Sequence, residues 1–412
     1  MKVLVIAHAH PDFSVGGGEI AAYNLYTTLR DDPDTTGALF LARSDLGTIG
    51  HGAIVSRRPG EYLWRQDMGD WFKLRTANAL AVVKDFRAFL RQHRPDTIYV
   101  HHYAHMGLEL LREIRHTLPQ AKLVLTLHEY TAICNHQGQM VKTDSTKRLC
   151  YRASLEDCHL CFPAVSPESF WLRRRYIEKH FQVVDMFVSP SEFLRQRYID
   201  WGIPADRITV IENGQPSFAR DIPRRGQPGI QKIGFFGQVT EYKGVDILLK
   251  GLSLVPPDAR RDLRVEIHGA NLEQRSEAFQ VLIKELRAPL LEEGCLRWVG
   301  GYERTELFRK MSQVDWVVIP SIWWENSPMV IQEALVCGKP VLAADIGGMA
   351  EKVRDGVTGL HFEARNPFDL AEKLTMIAQG YVPAGVEQPD LLKSVSYAES
   401  ARLYKRLVAS LT

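Results

Sequence analysis

The chain has 412 residues, 45% of them hydrophobic and 24% charged, which places it among globular proteins and excludes a disordered or fibrous one. That length exceeds what one hydrophobic core usually supports, so two domains are expected. With 51 Lys+Arg against 49 Asp+Glu the net charge is +2, short of the basic excess expected of a nucleic-acid binder.

In chain order, Lys2 to His8 is a continuous Val/Leu/Ile run, the pattern of a strand buried on both faces of a parallel sheet. This start lacks the basic region, long apolar region and cleavage site of a signal peptide, and no stretch approaches the ~18 apolar residues of a membrane span. A cytoplasmic protein with reduced thiols is expected. A glycine turn, Gly16-Gly17-Gly18, precedes a helical pattern from Glu19 with Ala22, Leu25 and Leu29 on one face. Strand, glycine turn and helix open a doubly wound α/β sheet. Asp32-Pro33-Asp34, at a helix end, reads as a solvated turn. Further strands are predicted at Gly37–Ala42, Thr97–His101, Lys122–Leu127, Val184–Ser189 and Ile208–Ile211.

Two segments of this first half, Tyr62–Arg75 and Phe170–Phe181, mix aromatic and basic residues. They read either as core aromatics with arginines outside, or as a surface for an anionic membrane. Between them lie Cys134, Cys150, Cys158 and Cys161, in a segment rich in turn residues. Cys158-x-x-Cys161 has the chelate spacing of a zinc knuckle, and two more thiolates would complete a tetrahedral structural site. Four reduced thiols, some buried as small hydrophobes, are the other reading.

From Gln215 to Gln231 prolines and glycines interrupt all periodicity, so residues 215–231 read as a linker. The α/β pattern then restarts, with strands predicted at Lys232–Phe236, Arg264–His268, Leu296–Val299, Trp316–Ile319, Val341–Ala343 and about Gly359–Phe362. The expected organisation is an N-terminal domain, 1–214, with a Cys-rich insertion at about 130–165, and a C-terminal domain, 232–393. A last amphipathic helix, within 394–412, would pack back on the first domain.

The chemistry concentrates where a buried strand ends at Pro320 and a helix is predicted to start near Ser327, with serine as its cap and Pro328 in its first turn. The free amides of Met329 and Val330 there form an anion site suited to a diphosphate. Glu325 precedes the helix and Glu333 follows it by eight positions, so they can accept hydrogen bonds from a sugar and a ribose. Lys243, in the loop after the second domain's first strand, is a candidate to neutralise a departing diphosphate in place of a divalent metal. Ordinary exposed glutamates and a solvated lysine are the bland alternatives.

The stretch Glu325 to Glu333 resembles the E-x7-E motif of retaining glycosyltransferases of the large family four, which have the GT-B fold: two Rossmann-like parallel-sheet domains facing a cleft. The likeness extends through PSIWWENSPMVIQEALVCGKPVLAADIGGMAEKVRDGVTGLHF, FFGQVTEYKG, Asn213-Gly214 and the N-terminal GGGE. It implies that Glu325 contacts the donor sugar, Glu333 the ribose and Lys243 the diphosphate, with Asn326 and Ser327 beside them. It further implies that Gly16 and Gly17 approach the donor and that His128 lines the sugar pocket. Gly301 and Tyr302 would fall near the base, with His268 on a neighbouring loop. Where many members carry an arginine, this chain has Gln238, which brings no charge.

The implied activity is retaining, metal-independent transfer from a UDP- or GDP-sugar to a glycan or lipid-linked glycan, as in surface polysaccharide synthesis. The implied location is the cytoplasm, peripheral to the inner membrane face. A nicotinamide oxidoreductase is disfavoured because the glycines are contiguous and G-x-G-x-x-G is absent. A sugar-nucleotide epimerase and a non-catalytic nucleotide-sugar binder are the other readings.

Overall fold

A computed structural model describes residues 1–14, 16–216, 229–386, 388 and 394–411. The chain forms two compact units, one of Met1–Gly214 with Val395–Thr412 and one of Gln215–Ser394. Most of the linker expected at 215–231 lies outside the described residues.

The first unit is built on an eight-stranded sheet. Its strands are β1 (Lys2–Ala7), β2 (Gly37–Ser44), β3 (Ile54–Arg58) and β4 (Glu61–Arg65), then, after a small separate ladder of β5 (Met68–Asp70) and β6 (Arg75–Thr76), β7 (Thr97–His101), β8 (Lys122–Thr126), β9 (Met186–Ser189) and β10 (Ile208–Val210). Their order is β10-β9-β8-β7-β1-β2-β4-β3, parallel except for β3 against β4. The Val/Leu/Ile run of β1 is buried throughout because strands flank it on both sides and helices cover it. The outer strand β3 is mostly exposed and carries Arg57 and Arg58, charges that discourage edge-to-edge pairing.

Strands β3 to β6 were not predicted. Glu61-Tyr62-Leu63-Trp64-Arg65 lacks a clean period, yet as β4 it turns Trp64 inward, only 1% exposed, to stack on Phe86 at 4.5 Å. Trp64 is therefore core. The first helix starts at Gly17, two residues ahead of the expected Glu19, with Gly16 extended at its cap.

The C-terminal helix, Tyr397–Ala409, belongs to the first unit, where the Tyr404 hydroxyl meets Thr126 Oγ1 at 2.9 Å. Lys405 Nζ donates to Asp32 at 3.0 Å and Asp34 at 2.8 Å. The D-x-D is the exposed turn expected, and it also clasps that helix: two carboxylates converge on one ammonium.

The second unit carries six parallel strands, β11 (Gln231–Gln238), β12 (Leu263–Ala270), β13 (Leu296–Trp298), β14 (Trp316–Ile319), β15 (Val341–Ala344) and β16 (Gly359–Phe362). Their order is β13-β12-β11-β14-β15-β16. Strand order reverses between β11 and β14, the topological switch point beside which open α/β sheets bind ligands. Lys243 follows β11 and Glu325 follows β14, so the topology delivers both from neighbouring strands.

Candidate active site

In the second unit, the loops after β11 and β14 are pressed backbone to backbone. Gly244 has φ +68°, and a Cβ there would stand 1.8 Å from the Pro320 carbonyl oxygen. The Ile322 amide donates to the Tyr242 carbonyl at 2.9 Å. From the other side, a Cβ on Gly348 would lie 1.9 Å from the Asn326 carbonyl oxygen, and the Gly348 amide donates to the Glu325 carbonyl at 2.7 Å. Two glycines let three loops close on one carboxylate.

That carboxylate is Glu325, 7% exposed. Its Oε1 accepts from Lys243 Nζ at 2.6 Å, Ser321 Oγ at 2.8 Å and Trp323 Nε1 at 3.0 Å. All three donors converge on one oxygen, which fixes the carboxylate while Oε2 takes none of these bonds. The ammonium also lies 5.9 Å from the Trp323 ring centroid. Ser321 and Trp323 were missed in the sequence; only the path of the loop reveals that their donors face Glu325.

The helix after this loop runs Met329–Val336 and begins later than expected, with Pro328 in extended conformation at the cap position. Ser327 makes no cap bond, and its hydroxyl is buried without a hydrogen-bond partner among the described residues. Pro328 stays extended at ψ 113°, so the chain enters the helix one residue too late for Ser327 to cap it. By helical geometry the amides of Met329 and Val330 still lack intrahelical acceptors.

Glu333, on the same helix, is almost wholly buried, and Oε1 accepts from Arg304 Nη2. Burial raises its carboxyl above the ordinary range, against the pull of Arg304. Beside it, burial and then the charge of Glu333 push the Tyr302 phenol up to about 12. Tyr302 also approaches a face-to-face stack of Phe236 on His268, with centroids 4.6 Å apart. Gln238 and Gly301 are exposed. In this unit, then, Lys243 meets Glu325, and Tyr302, His268 and Glu333 are neighbours, with Arg304 an addition the sequence did not suggest.

In the first unit, His128 follows β8, and its Nε2 lies 3.1 Å from His101 Nδ1. Nearby, the His8 ring is 4.1 Å from His102 and 5.7 Å from His105, and His8 Nε2 is 3.2 Å from Glu19. Strand β1 and the turns after β7 and β8 therefore bring several imidazoles together, although they are scattered in sequence. Burial, with repulsion from His8, lowers His105 and His128 to about 4 each.

An unfolded chain releases these imidazoles to an ordinary value near 6.5, so between about 6.5 and 4 it binds more protons than the folded one. The stability they contribute is complete above pH 6.5, declines as pH falls and is gone below about 4. The first unit's melting temperature is expected to drop across that window; a flat profile there contradicts this account.

Zinc ligation and reduced thiols were the two readings of the four cysteines, and no metal site is seen at them. Among the described residues no group of three or more His, Cys, Asp or Glu side chains is placed to hold a metal ion. None of the four is in a disulfide; burial pushes Cys134 up to about 11 and, helped by its neighbouring thiols, Cys158 to about 12. The segment is anchored instead by Arg173, buried out of the basic run. It donates to the carbonyls of Phe72 at 2.7 Å, Ala132 at 2.7 Å and Thr131. One guanidinium cross-links the start of this segment to the loop at Phe72.

Residues 15–215 match the model for Glycosyltransferase Family 4, and residues 224–381 match that for Glycosyl transferases group 1. A D-inositol 3-phosphate glycosyltransferase of Nocardia farcinica is 31% identical over 46% of this chain and 44% of its own length. Several such relatives are spanned over only 32–59% of their length. One from Corynebacterium jeikeium aligns over 100% of this chain and 97% of its own, at 24% identity. Among solved structures, the Anabaena protein HepE with UDP and glucose is 18% identical, with both chains fully covered and a TM-score of 0.66. Sucrose-phosphate synthase from Thermosynechococcus elongatus, 17% identical and also fully covered both ways, gives 0.72.

Proposed function

Because this chain belongs to the group 1, family 4 glycosyltransferases and has their GT-B fold, we propose that it transfers a sugar from a nucleoside-diphosphate sugar held by the second unit. The observation that carries this reading is the Glu325 carboxylate, tied through one oxygen to Lys243, Ser321 and Trp323 just ahead of a helix N-terminus. Its other oxygen is suited to a sugar hydroxyl, while the ammonium and the bare amides of Met329 and Val330 offer positive potential to a diphosphate.

In this proposal the leaving diphosphate develops charge as the sugar–oxygen bond breaks, and Lys243 with the helix N-terminus stabilises it without a divalent metal. A phosphate oxygen of the leaving group takes the proton of the incoming hydroxyl on the same face, so configuration is retained. Glu333 accepts from the ribose, and His128 receives sugar hydroxyls on the first unit. The acceptor is a glycan or lipid-linked glycan, and Trp71, Trp171 and Leu172, all exposed on the first unit, suit peripheral contact with an anionic membrane at its cytoplasmic face. No helix among the described residues is long and apolar enough to cross a membrane.

A thermal-shift screen of UDP-, GDP- and ADP-sugars tests the donor half. A ligand at ~100 times its dissociation constant stabilises by about 2.7 kcal/mol, which one class of nucleotide is expected to do. If none shifts the melting temperature at millimolar concentration, the donor site is misassigned.

A further inference from the structure

Arg304 opens a short turn, Arg304–Glu306, held by a reciprocal capping box between Glu303 and Glu306. The turn thus presents the guanidinium from a fixed backbone. Its side chain is about one-third exposed, yet its tip reaches a Glu333 carboxylate that is 3% exposed. Only Oε1 of that carboxylate takes the guanidinium bond.

Among the described residues, Arg304 is the positive charge that acts on Glu333. Tyr302, from the loop before the turn, and Cys337, at the end of Glu333's own helix, are its titratable neighbours. The strands packed against that helix, β14 (WVVI) and β15 (VLAA), are apolar. The adjacent helix Gly347–Lys352 carries Glu351 and Lys352, which pair with each other at 3.7 Å. A buried carboxylate left without an opposing charge neutralises itself by taking up a proton. Protonated, it loses acceptor capacity, and a vicinal diol needs two acceptor positions from it.

We propose that Arg304 is the positioning residue of the nucleoside subsite, keeping Glu333 ionised and turned so that its second oxygen receives a ribose diol. This rests on the reading of Glu333 as the ribose acceptor. Affinity for nucleotide falls as pH drops through the Glu333 titration, and removing Arg304 moves that fall to higher pH.

The test is calorimetric titration of the full chain with UDP and GDP from pH 5.5 to 8.5, following whichever nucleotide binds the wild type more tightly. Arg304→Leu is expected to weaken binding at least tenfold at pH 7 and to shift the acid fall-off upward by about a pH unit or more, with Arg304→Lys restoring most of both. Should Arg304→Leu not fold, Arg304→Gln reads the same shift. An unchanged affinity and profile in the charge-removing variant overturns the proposal. So does weaker binding with the wild-type profile, which would make Arg304 a simple contact. Glu333→Gln separates the two levels: wild-type affinity there removes the ribose role of Glu333 itself, whereas weak binding there beside an unchanged Arg304→Leu removes only the role of Arg304.

Discussion

Lys243→Ala is expected to leave a folded protein whose transfer rate is lower by a factor of ~100 or more, and Glu325→Gln to do the same. A charge pair at ~4 Å in an effective dielectric of ~20 is worth about 4 kcal/mol, and roughly two-thirds of that, expressed only in the transition state, gives the hundredfold. Lys243 serves twice: its ammonium would neutralise the leaving group, and it already anchors the carboxylate at 2.6 Å. Alanine at 243 leaves Glu325 with two neutral donors, Ser321 and Trp323, in place of its ion pair. Glutamine at 325 keeps the side-chain volume but gives up the charge-assisted bonds, so the loss should appear in kcat with little change in melting temperature. Steady-state kinetics alongside a thermal melt check this; wild-type turnover in both variants removes the pair from the mechanism.

The largest expected stability loss lies in the first unit, at Arg173→Met. The substitution fills similar space but strands three carbonyls, those of Phe72, Ala132 and Thr131, in a site where the side chain is 4% exposed. Each unpaired buried acceptor costs about 1–3 kcal/mol, so the first unit should lose about 3–5 kcal/mol after partial relaxation. Arg173→Lys keeps the charge but lacks the planar fork that reaches all three, and should recover only part. Urea unfolding, with a separate transition sought for each unit, measures this; a loss below about 1 kcal/mol means something else anchors the Cys-rich segment.

How far the sequence was legible follows from how local each cause is. The run at Val3–Ala7 and, in the second sheet, β14 and β15 stood out because a strand buried on both faces must be apolar at every position, and the family and its fold followed from motifs in order. Strand β4 did not stand out: Arg65 and Glu61 end it, and Trp64 looks the same in sequence whether it faces solvent or Phe86. Ser327 preceding a proline looked like a cap, but a proline can sit at a helix entry in more than one way, and ψ at Pro328 decided it. Arg173 and the Asp32/Asp34 clasp were hidden because their partners are distant in sequence. A basic run says nothing of which arginine turns inward, and an acidic turn says nothing of a lysine 373 positions away. The Cys158-x-x-Cys161 spacing constrains only neighbours in the chain, so it says nothing of where Cys134 and Cys150 come to lie.

The clasped C-terminal helix has a kinetic consequence. Tyr404 reaches Thr126 across 278 residues, so the first unit's core is finished by a segment that emerges from synthesis only after the entire second unit. The second unit, being one uninterrupted stretch, is free to fold while the first still waits with an open seam along Thr126 and Tyr99. Closing a loop that long is entropically slow, which makes docking of this helix the natural last event of folding and its undocking the natural first event of unfolding.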